Sequence, residues 1–330
     1  MIRGSAHGKV ILFGEHAVVY GVPALAVGIE RGAWAEATVS AESGPSTLFV
    51  RGWAITARED EDVPLGRALA AIVRVTRAGR GDDAPPLGAA TITAEADLPP
   101  GGGLGCSAAL GVAIARALDP EASAGVICER VTAWESVFHG NPSGIDAAVS
   151  ALGGCVLYRR GAGDFRTIER VRLPAKLHLC VGHTGRASST KTMVEAVARL
   201  RERRPAIAQK TFDAIASVVN NAHLAIEAGD ERAIGQLLDF NQMLLSGLFV
   251  STAEIEQLCG AARANGALGA KLTGAGGGGS VVALVPDASR GEAVVAAWKK
   301  DGFDGFVTSV GGDLAAVRAQ PETRLVEGTP

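Results

Sequence analysis

Residues 99–109, PPGGGLGCSAA, place four glycines between a predicted strand and a predicted helix. Upstream, residues 90–98 alternate between apolar and polar side chains, which is typical of a half-buried strand that the two prolines then end. Downstream, residues 107–118 (SAALGVAIARAL) are rich in helix formers and apolar nearly all round, which predicts a buried helix. The glycines therefore lead directly into the first turn of a helix.

A helix that begins in this way can bind an anion. Its first N–H groups lack intrahelical partners and its dipole favours negative charge, so the segment is predicted to hold a phosphate. The alternative is a tight turn in which glycine only supplies unusual dihedral angles. The segment is not a Walker A motif, because no Gly-Lys-Ser/Thr follows at the required spacing. A formal GxGxxG at residues 274–279 precedes a strand, SVVALV, which argues against a dinucleotide fold.

The composition indicates a globular protein that acts on a small molecule. The chain has 330 residues, enough for two lobes, with 47% hydrophobic and 20% charged residues and a formal net charge of −3. This charge argues against nucleic-acid binding. The five cysteines form no CxxC pair, so neither a disulfide framework nor a zinc site is indicated. Without a recognisable signal peptide or a long apolar run, we expect a soluble cytoplasmic protein that does not bind membranes.

Periodicity assigns most of the remaining secondary structure. Residues 42–62 are interpreted as an irregular, solvated loop. Strands are predicted at residues 8–14, 33–40, 155–160, 177–182, 281–285, 306–310 and 314–319, and helices at 65–77, 122–139, 193–203, 206–228, 231–248, 253–264 and 292–300. Strands flanking helices imply an α+β second lobe.

Acidic residues near the ends of these elements are candidates for chemistry. Glu135 lies beside the apolar stripe of the helix at 122–139, and Asp146 opens a helical run after HGNPSGID (139–146). One carboxylate could bind Mg²⁺ while the other accepts a proton from a hydroxyl. The alternative for Asp146 is a simple helix N-terminal acid. Glu15 and His16 end the first strand, where a solvated loop pair is the alternative interpretation.

Three motifs, GKVILFGEH (8–16), PPGGGLGCSAA (99–109) and KLTGAGGGGS (271–280), resemble those of the GHMP kinases, named for galactokinase and homoserine, mevalonate and phosphomevalonate kinases. The match spans most of the chain. Residues 8–26, 139–146 and 183–197 resemble the branch that phosphorylates mevalonate. The resemblance implies ATP-dependent, Mg²⁺-dependent phosphorylation of (R)-mevalonate at its C5 hydroxyl. It also implies a two-lobed α+β fold: an N-terminal lobe over residues 1–175, like domain 2 of a ribosomal protein, and a ferredoxin-like C-terminal lobe over 176–330.

The same resemblance assigns roles to individual residues. Asp146 matches the catalytic base and Lys9 the lysine beside the substrate hydroxyl, while Ser107 and Glu135 match the magnesium ligands. The triphosphate loop is matched by Gly101, Gly102, Gly103, Leu104, Gly105, Cys106 and Ser107. Substrate-side positions are Glu15, His16, Lys9, Asp146, Thr190 and Gly274.

Two departures from the family pattern affect these expectations. His7 replaces a proline before Gly-Lys, and Cys106 replaces the first of two serines in the phosphate loop. At a helix N-terminus, Cys106 is expected to favour the thiolate, unless it packs inward as an inert apolar side chain. We expect activity to survive because the family's metal ligand is the second serine, Ser107.

Two other functions remain open from sequence. The chain could be another small-molecule kinase of the family, acting on phosphomevalonate or homoserine, or a silent sensor that binds ATP and a metabolite. Retention of Asp146, Glu135, Ser107 and Lys9 argues against the sensor, since a protein that only binds needs no base. A homodimer is compatible with the resemblance, but the sequence does not define the oligomeric state.

Overall fold

The computed structural model describes residues 2–40, 42–79, 87–140, 142–161, 166–311 and 325–327. The chain divides into two compact units that interleave along the sequence. The first comprises residues 1–8, 31–99 and 105–153, and the second comprises 9–30, 100–104 and 154–330. These boundaries differ from the predicted lobes, 1–175 and 176–330. The predicted strand at 314–319 and Asn141 of the HGNPSGID motif lie outside the described residues.

Twelve strands and nine α-helices are found in the described ranges. The strands are β1 (Ile2–Phe13), β2 (Ala24–Val39), β3 (Thr47–Val50), β4 (Ile55–Arg58), β5 (Ala90–Ala96), β6 (Cys155–Arg160), β7 (Arg166–Val171), β8 (Leu177–His183), β9 (Gly269–Thr273), β10 (Ser280–Val285), β11 (Asp304–Val310) and β12 (Leu325–Glu327). The helices are α1 (Pro64–Ala78), α2 (Cys106–Leu118), α3 (Ala124–His139), α4 (Ile145–Leu152), α5 (Thr190–Arg203), α6 (Pro205–Ala228), α7 (Glu231–Gly247), α8 (Ala253–Ala264) and α9 (Ala288–Lys300). None of these helices is both long enough and apolar enough to cross a bilayer.

In the first unit, α1 and α2 contact a small mixed set of strands, and α3 and α4 pack on these helices. The second half of β2 runs antiparallel to β5, β5 pairs in parallel with β3, and β3 is antiparallel to β4. Helix α2 is buried along nearly its whole length, as predicted, and contacts α3 and α4. The contact is close at Gly111, where a Cβ would lie 2.8 Å from Cδ1 of Trp134. Only glycine allows the indole of α3 to approach the backbone of α2 in this way.

The loop predicted at residues 42–62 is partly wrong. Strands β3 and β4 pair there, with Leu48, Val50 and Ala57 buried. The acidic run is not wholly solvated either, because the Glu59 carboxylate lies 2.6 Å from the guanidinium of Arg77 on α1.

The second unit contains a four-stranded antiparallel sheet in the order β11–β8–β10–β9. Its strands alternate with helices as βαββαβ, and this order confirms the predicted ferredoxin-like arrangement. Helices α8 and α9 contact the sheet, and the fully buried Trp298 packs over Gly182 of β8. The first half of β2 pairs with β6, β6 pairs with β7, and β7 pairs with β12, all antiparallel. Strand β1 also pairs with β2.

Candidate active site

The glycine segment that precedes α2 has a backbone conformation that favours glycine at three positions. Gly101, Gly103 and Gly105 have φ angles of +70°, +77° and +72°, a region that side chains disfavour. Gly105 is the N-cap of α2 and, having no side chain, cannot cap the helix itself. The first N–H groups of α2 therefore remain suited to an anionic ligand.

In the first unit, the two predicted metal ligands lie side by side. Ser107 Oγ donates to Glu135 Oε1 at 2.5 Å, and Glu135 is only 4% exposed. Trp134 Nε1 donates to the Ser107 carbonyl at 3.0 Å, which fixes the first turn of α2 against α3. Hard oxygen ligands of this kind suit Mg²⁺, which usually binds one or two protein side chains and completes its shell with water and phosphate oxygens.

The donor set therefore fits Mg²⁺ better than a metal that needs an all-protein cage. Within the described ranges, no group of three or more His, Cys, Asp or Glu side chains could hold a metal ion. A hydroxyl and one carboxylate, next to a helix terminus that can receive phosphate, match the needs of a nucleotide-bound cation.

The expectation that Cys106 favours the thiolate is wrong. Its side chain is 8% exposed and its thiol donates to the carbonyl of Leu98 at 3.7 Å. Burial, and to a lesser degree the negative charge of Glu135, raise the pKa of the Cys106 thiol to about 12. Loss of hydration thus outweighs the helix dipole, which acts over the first turn and is modest in size.

Asp146 lies in the first turn of α4, as predicted. The preceding Gly144 is the N-cap, with a left-handed φ of +85°. Ile145 and Ala147 are buried, whereas Asp146 keeps part of its surface exposed. Its carboxylate is therefore held by a buried helix start and can still reach a ligand.

In the second unit, Lys9 is joined to the first glycine segment. Its Nζ donates to the carbonyl of Gly103 at 3.2 Å, and its backbone N–H donates to the carbonyl of Leu104 at 2.9 Å. The side chain is almost completely buried. These contacts place the ammonium at the loop that is predicted to receive phosphate.

The second glycine-rich segment lies against the first. Ser280 Oγ donates to the carbonyl of Gly102 at 2.7 Å, and a Cβ on Gly103 would lie 3.3 Å from the carbonyl of Thr273. Gly274 has a left-handed φ of +84°, and its own Cβ would lie 3.4 Å from Gly103 Cα. The two segments, far apart in sequence, thus form one backbone surface in this unit.

Glu15 and His16 are both buried, not solvated as the alternative interpretation held. His16 adopts a positive φ of 60°, and its Nε2 lies 2.8 Å from the carbonyl of Ala275. A carbonyl can only accept, so Nε2 carries the proton and donates. Burial lowers the pKa of His16, which keeps the ring neutral at physiological pH. The Glu15 carboxylate pairs with Lys271 and accepts from Asn241 Nδ2 at 3.3 Å.

Thr190 begins α5, and its neighbours connect that helix start to the second glycine segment. Ser188 Oγ donates to the carbonyl of Gly276, and Gly279 N–H donates to the carbonyl of Arg186 at 2.9 Å. The structure therefore brings Lys9, His16 and the glycine segments together in one unit, and Ser107 with Glu135 in the other. The sequence indicated Lys271 only as a candidate charge for phosphate and Asn241 only as an interior polar residue, so their contacts with Glu15 were not predicted. The only signal for Lys271 was a lysine in a small-residue stretch.

Sequence comparison decides the family. The family model described as "GHMP kinases N terminal domain" matches residues 67–154. The model described as "GHMP kinases C terminal" matches residues 222–304. The chain belongs to the GHMP kinases. As a member of this family it is an ATP-using phosphotransferase, as predicted from the three motifs.

Curated and solved relatives agree with this assignment. The mevalonate kinase of Pyrococcus abyssi is 35% identical over 309 residues, which cover 88% of this GHMP kinase and 90% of the relative. That of Thermococcus gammatolerans is 36% identical over 315 residues, covering 87% and 90%. The crystal structure of L. major mevalonate kinase in complex with R-mevalonate superposes with a TM-score of 0.80 at 28% identity, over 95% of this chain and 97% of that one. The two-lobed α+β fold is thereby confirmed.

Proposed function

We propose that this GHMP kinase transfers the γ-phosphoryl group of ATP to the C5 hydroxyl of (R)-mevalonate, giving 5-phosphomevalonate and ADP. The observation that carries the proposal is the contact of Lys9 Nζ with the glycine segment, at 3.2 Å from the carbonyl of Gly103. It places a cation at a backbone surface suited to phosphate. Similarity to mevalonate kinases over most of the chain supports the choice of acceptor.

Phosphoryl transfer needs positioning and charge stabilisation more than covalent work by the protein. The N–H groups at the start of α2 hold phosphate oxygens. Asp146 accepts the proton of the C5 hydroxyl while the hydroxyl oxygen of mevalonate forms a bond to the γ-phosphorus of ATP. The bond between the γ-phosphorus and the β,γ-bridging oxygen breaks, and ADP leaves. Lys9 stabilises the negative charge that develops on the transferred group.

Ser107 and Glu135 are the side chains that would hold Mg²⁺ through their oxygens. A cation held by these oxygens would supply positive charge against the phosphates of ATP. The hydrogen bond between Ser107 Oγ and Glu135 Oε1 holds the two oxygens side by side.

His16 is a candidate for orienting the acceptor. Its Nε2–H is engaged by the carbonyl of Ala275, which leaves Nδ1 as a hydrogen-bond acceptor in the neutral ring. An acceptor at this position suits a substrate hydroxyl. Substrate contacts by Glu15, Thr190 and Gly274 stay predictions.

A coupled assay of ADP release tests the proposal against its alternatives. We expect kcat/KM for mevalonate to exceed that for phosphomevalonate and for homoserine by about a hundredfold or more, because buried polar groups reject acceptors that cannot pair with them. Preference for either other acceptor would replace the substrate assignment. ATP binding without ADP release on any acceptor would favour the sensor.

A further inference from the structure

An ion pair with no exposed surface lies where the first motif meets the third. Lys271 of β9 and Glu15, which follows β1, both have side chains that are 0% exposed. Lys271 Nζ donates to Glu15 Oε1, to the carbonyl of Leu272 and, at 3.4 Å, to the carbonyl of Ile11. Glu15 Oε2 accepts from Asn241 of α7 at 3.3 Å. The pair is therefore well supplied with hydrogen bonds.

Stability alone does not account for this pair. Burying two charges costs so much hydration that apolar residues of similar volume are often as stable or more so. The two strands are also joined without charge, because Ile11 N–H donates to Thr273 Oγ1 at 2.9 Å and that hydroxyl donates back to the Ile11 carbonyl at 3.1 Å. A role beyond joining β1 to β9 is therefore needed.

A third charge, Lys9, acts on the same carboxylate. Lys9 lies on β1 two residues before Ile11, and its Nζ is held at Gly103, whose backbone packs against Thr273 of β9. The ammonium is therefore held beside both strands that carry the pair. Burial is the main influence and raises the pKa of Glu15 and lowers that of Lys271, while the charge of Lys9 lowers both. Two ammonium groups thus compete for one buried carboxylate. In the structure Lys271 forms the ion pair with the Glu15 carboxylate, and Lys9 Nζ donates to the carbonyl of Gly103.

We propose that Lys271 neutralises Glu15 so that the ammonium of Lys9 keeps its charge for the phosphoryl group, which makes Lys271 and Glu15 positioning residues for Lys9. The proposal rests on the role proposed above for Lys9. Without Lys271, the ionised Glu15 carboxylate has Lys9 as its remaining cationic partner and draws it from the glycine segment. Without Glu15, the two buried ammonium groups repel each other, which disfavours the protonated form of Lys9.

The kcat values of the two single variants and the double variant distinguish a positioning role from a purely structural one. Lys271→Met leaves one carboxylate for Lys9, and Glu15→Gln leaves two cations. The double variant Glu15→Gln/Lys271→Met leaves Lys9 as the one charged member of the three. We therefore expect kcat of the double variant to exceed that of each single variant by about tenfold.

The pH profile supplies a second readout. Glu15 is faced by Lys271 from β9, Lys9 from β1 and the neutral Asn241 from α7, and its chain neighbour His16 is neutral. Cys259 of α8 also acts on Lys271. Burial raises the pKa of Glu15 above that of an ordinary carboxyl. In Lys271→Met, kcat is expected to fall as pH rises and Glu15 ionises, a descending limb that the double variant lacks.

The experiment measures kcat and KM for mevalonate from about pH 6 to about pH 9 for the wild type and these three variants. A second buried pair provides the control: Arg130 and Asp119, 2.8 Å apart with Arg130 4% exposed. Arg130→Met and Asp119→Asn should lower the melting temperature without changing the shape of the kcat profile.

Two results would overturn the proposal: a double variant no more active than the single variants, or a Lys271→Met profile parallel to that of the wild type. If Lys271→Met does not fold, kcat of the double variant is compared with that of Glu15→Gln alone. The double variant lacks both members of the ion pair, so neither is left buried without its partner. Failure of the proposed function would be seen separately, as a preference of the wild-type enzyme for an acceptor other than mevalonate. If the wild type prefers another acceptor, the same comparison is made on that acceptor.

Discussion

Cys106 should resist alkylation in the folded enzyme, contrary to what its place at a helix start suggests. With a pKa of about 12 instead of the about 8.5 of a free cysteine, its thiolate fraction near pH 7.5 is about 3,000-fold lower. A more basic thiolate is intrinsically more nucleophilic, which recovers a factor of about 30. The net expectation is a rate about a hundredfold below that of an exposed cysteine, and lower still because the side chain is buried.

The unfolded chain provides the matched reference for this measurement. Native and urea-unfolded protein are treated with iodoacetamide, and the Cys106 peptide is quantified by mass spectrometry over time. Because the thiol is directed to the carbonyl of Leu98 and not to the loop surface, ATP should give no further protection. ADP release should persist while Cys106 stays unmodified. Native-state modification within about tenfold of the unfolded rate, with the fold intact, would refute the burial argument.

Three further predictions concern catalysis, metal binding and the second glycine segment. Asp146→Asn should lower kcat by about two to four orders of magnitude with little change in KM for ATP, and a kcat within a few fold of wild type would remove Asp146 as the base. Glu135→Gln should raise the Mg²⁺ concentration for half-maximal rate, measured at fixed ATP after a thermal melt has shown that the variant folds; an unchanged titration excludes it as a ligand. Gly276→Ala should lower the free energy of unfolding by about 2 kcal/mol or more, because φ is +73° and the new Cβ would meet the Val250 carbonyl at 2.2 Å. Its control, Gly260→Ala in α8, meets nothing within 4 Å and should be neutral or stabilising in the same urea titration.

Long periodic segments were predictable because their pattern reports directly on burial. The alternation at residues 90–98 became β5, with Ala90, Ile92 and Ala94 buried, and the apolar run at 107–118 became α2. Prediction failed for β3 and β4, since four residues are too few to show a period. Strand β3 forms by pairing with β5, more than forty residues away, and β4 forms by pairing with β3.

The candidate site shows the same limit at the level of single side chains. Local reasoning placed Cys106 correctly at a helix N-terminus but could not give the direction of its thiol, which depends on the packing around α2. The partner of Glu15 lies 256 residues away, and nothing in either motif indicates it. Pairs of side chains from strands in different sheets, such as Glu15 after β1 and Lys271 on β9, become visible only when the strands are placed.

The interleaving of the two units affects how the protein is made. Residues 9–30 emerge early in synthesis, yet Ile11 hydrogen-bonds to Thr273, 262 residues later. At ordinary translation rates this segment waits roughly 10 to 50 s for its partner, with an apolar run and open strand edges exposed. Such high contact order slows folding and favours aggregation, so recombinant yield should depend on chaperone supply and growth temperature. For the same reason, cutting the gene near codon 175 would leave neither half able to complete the second unit.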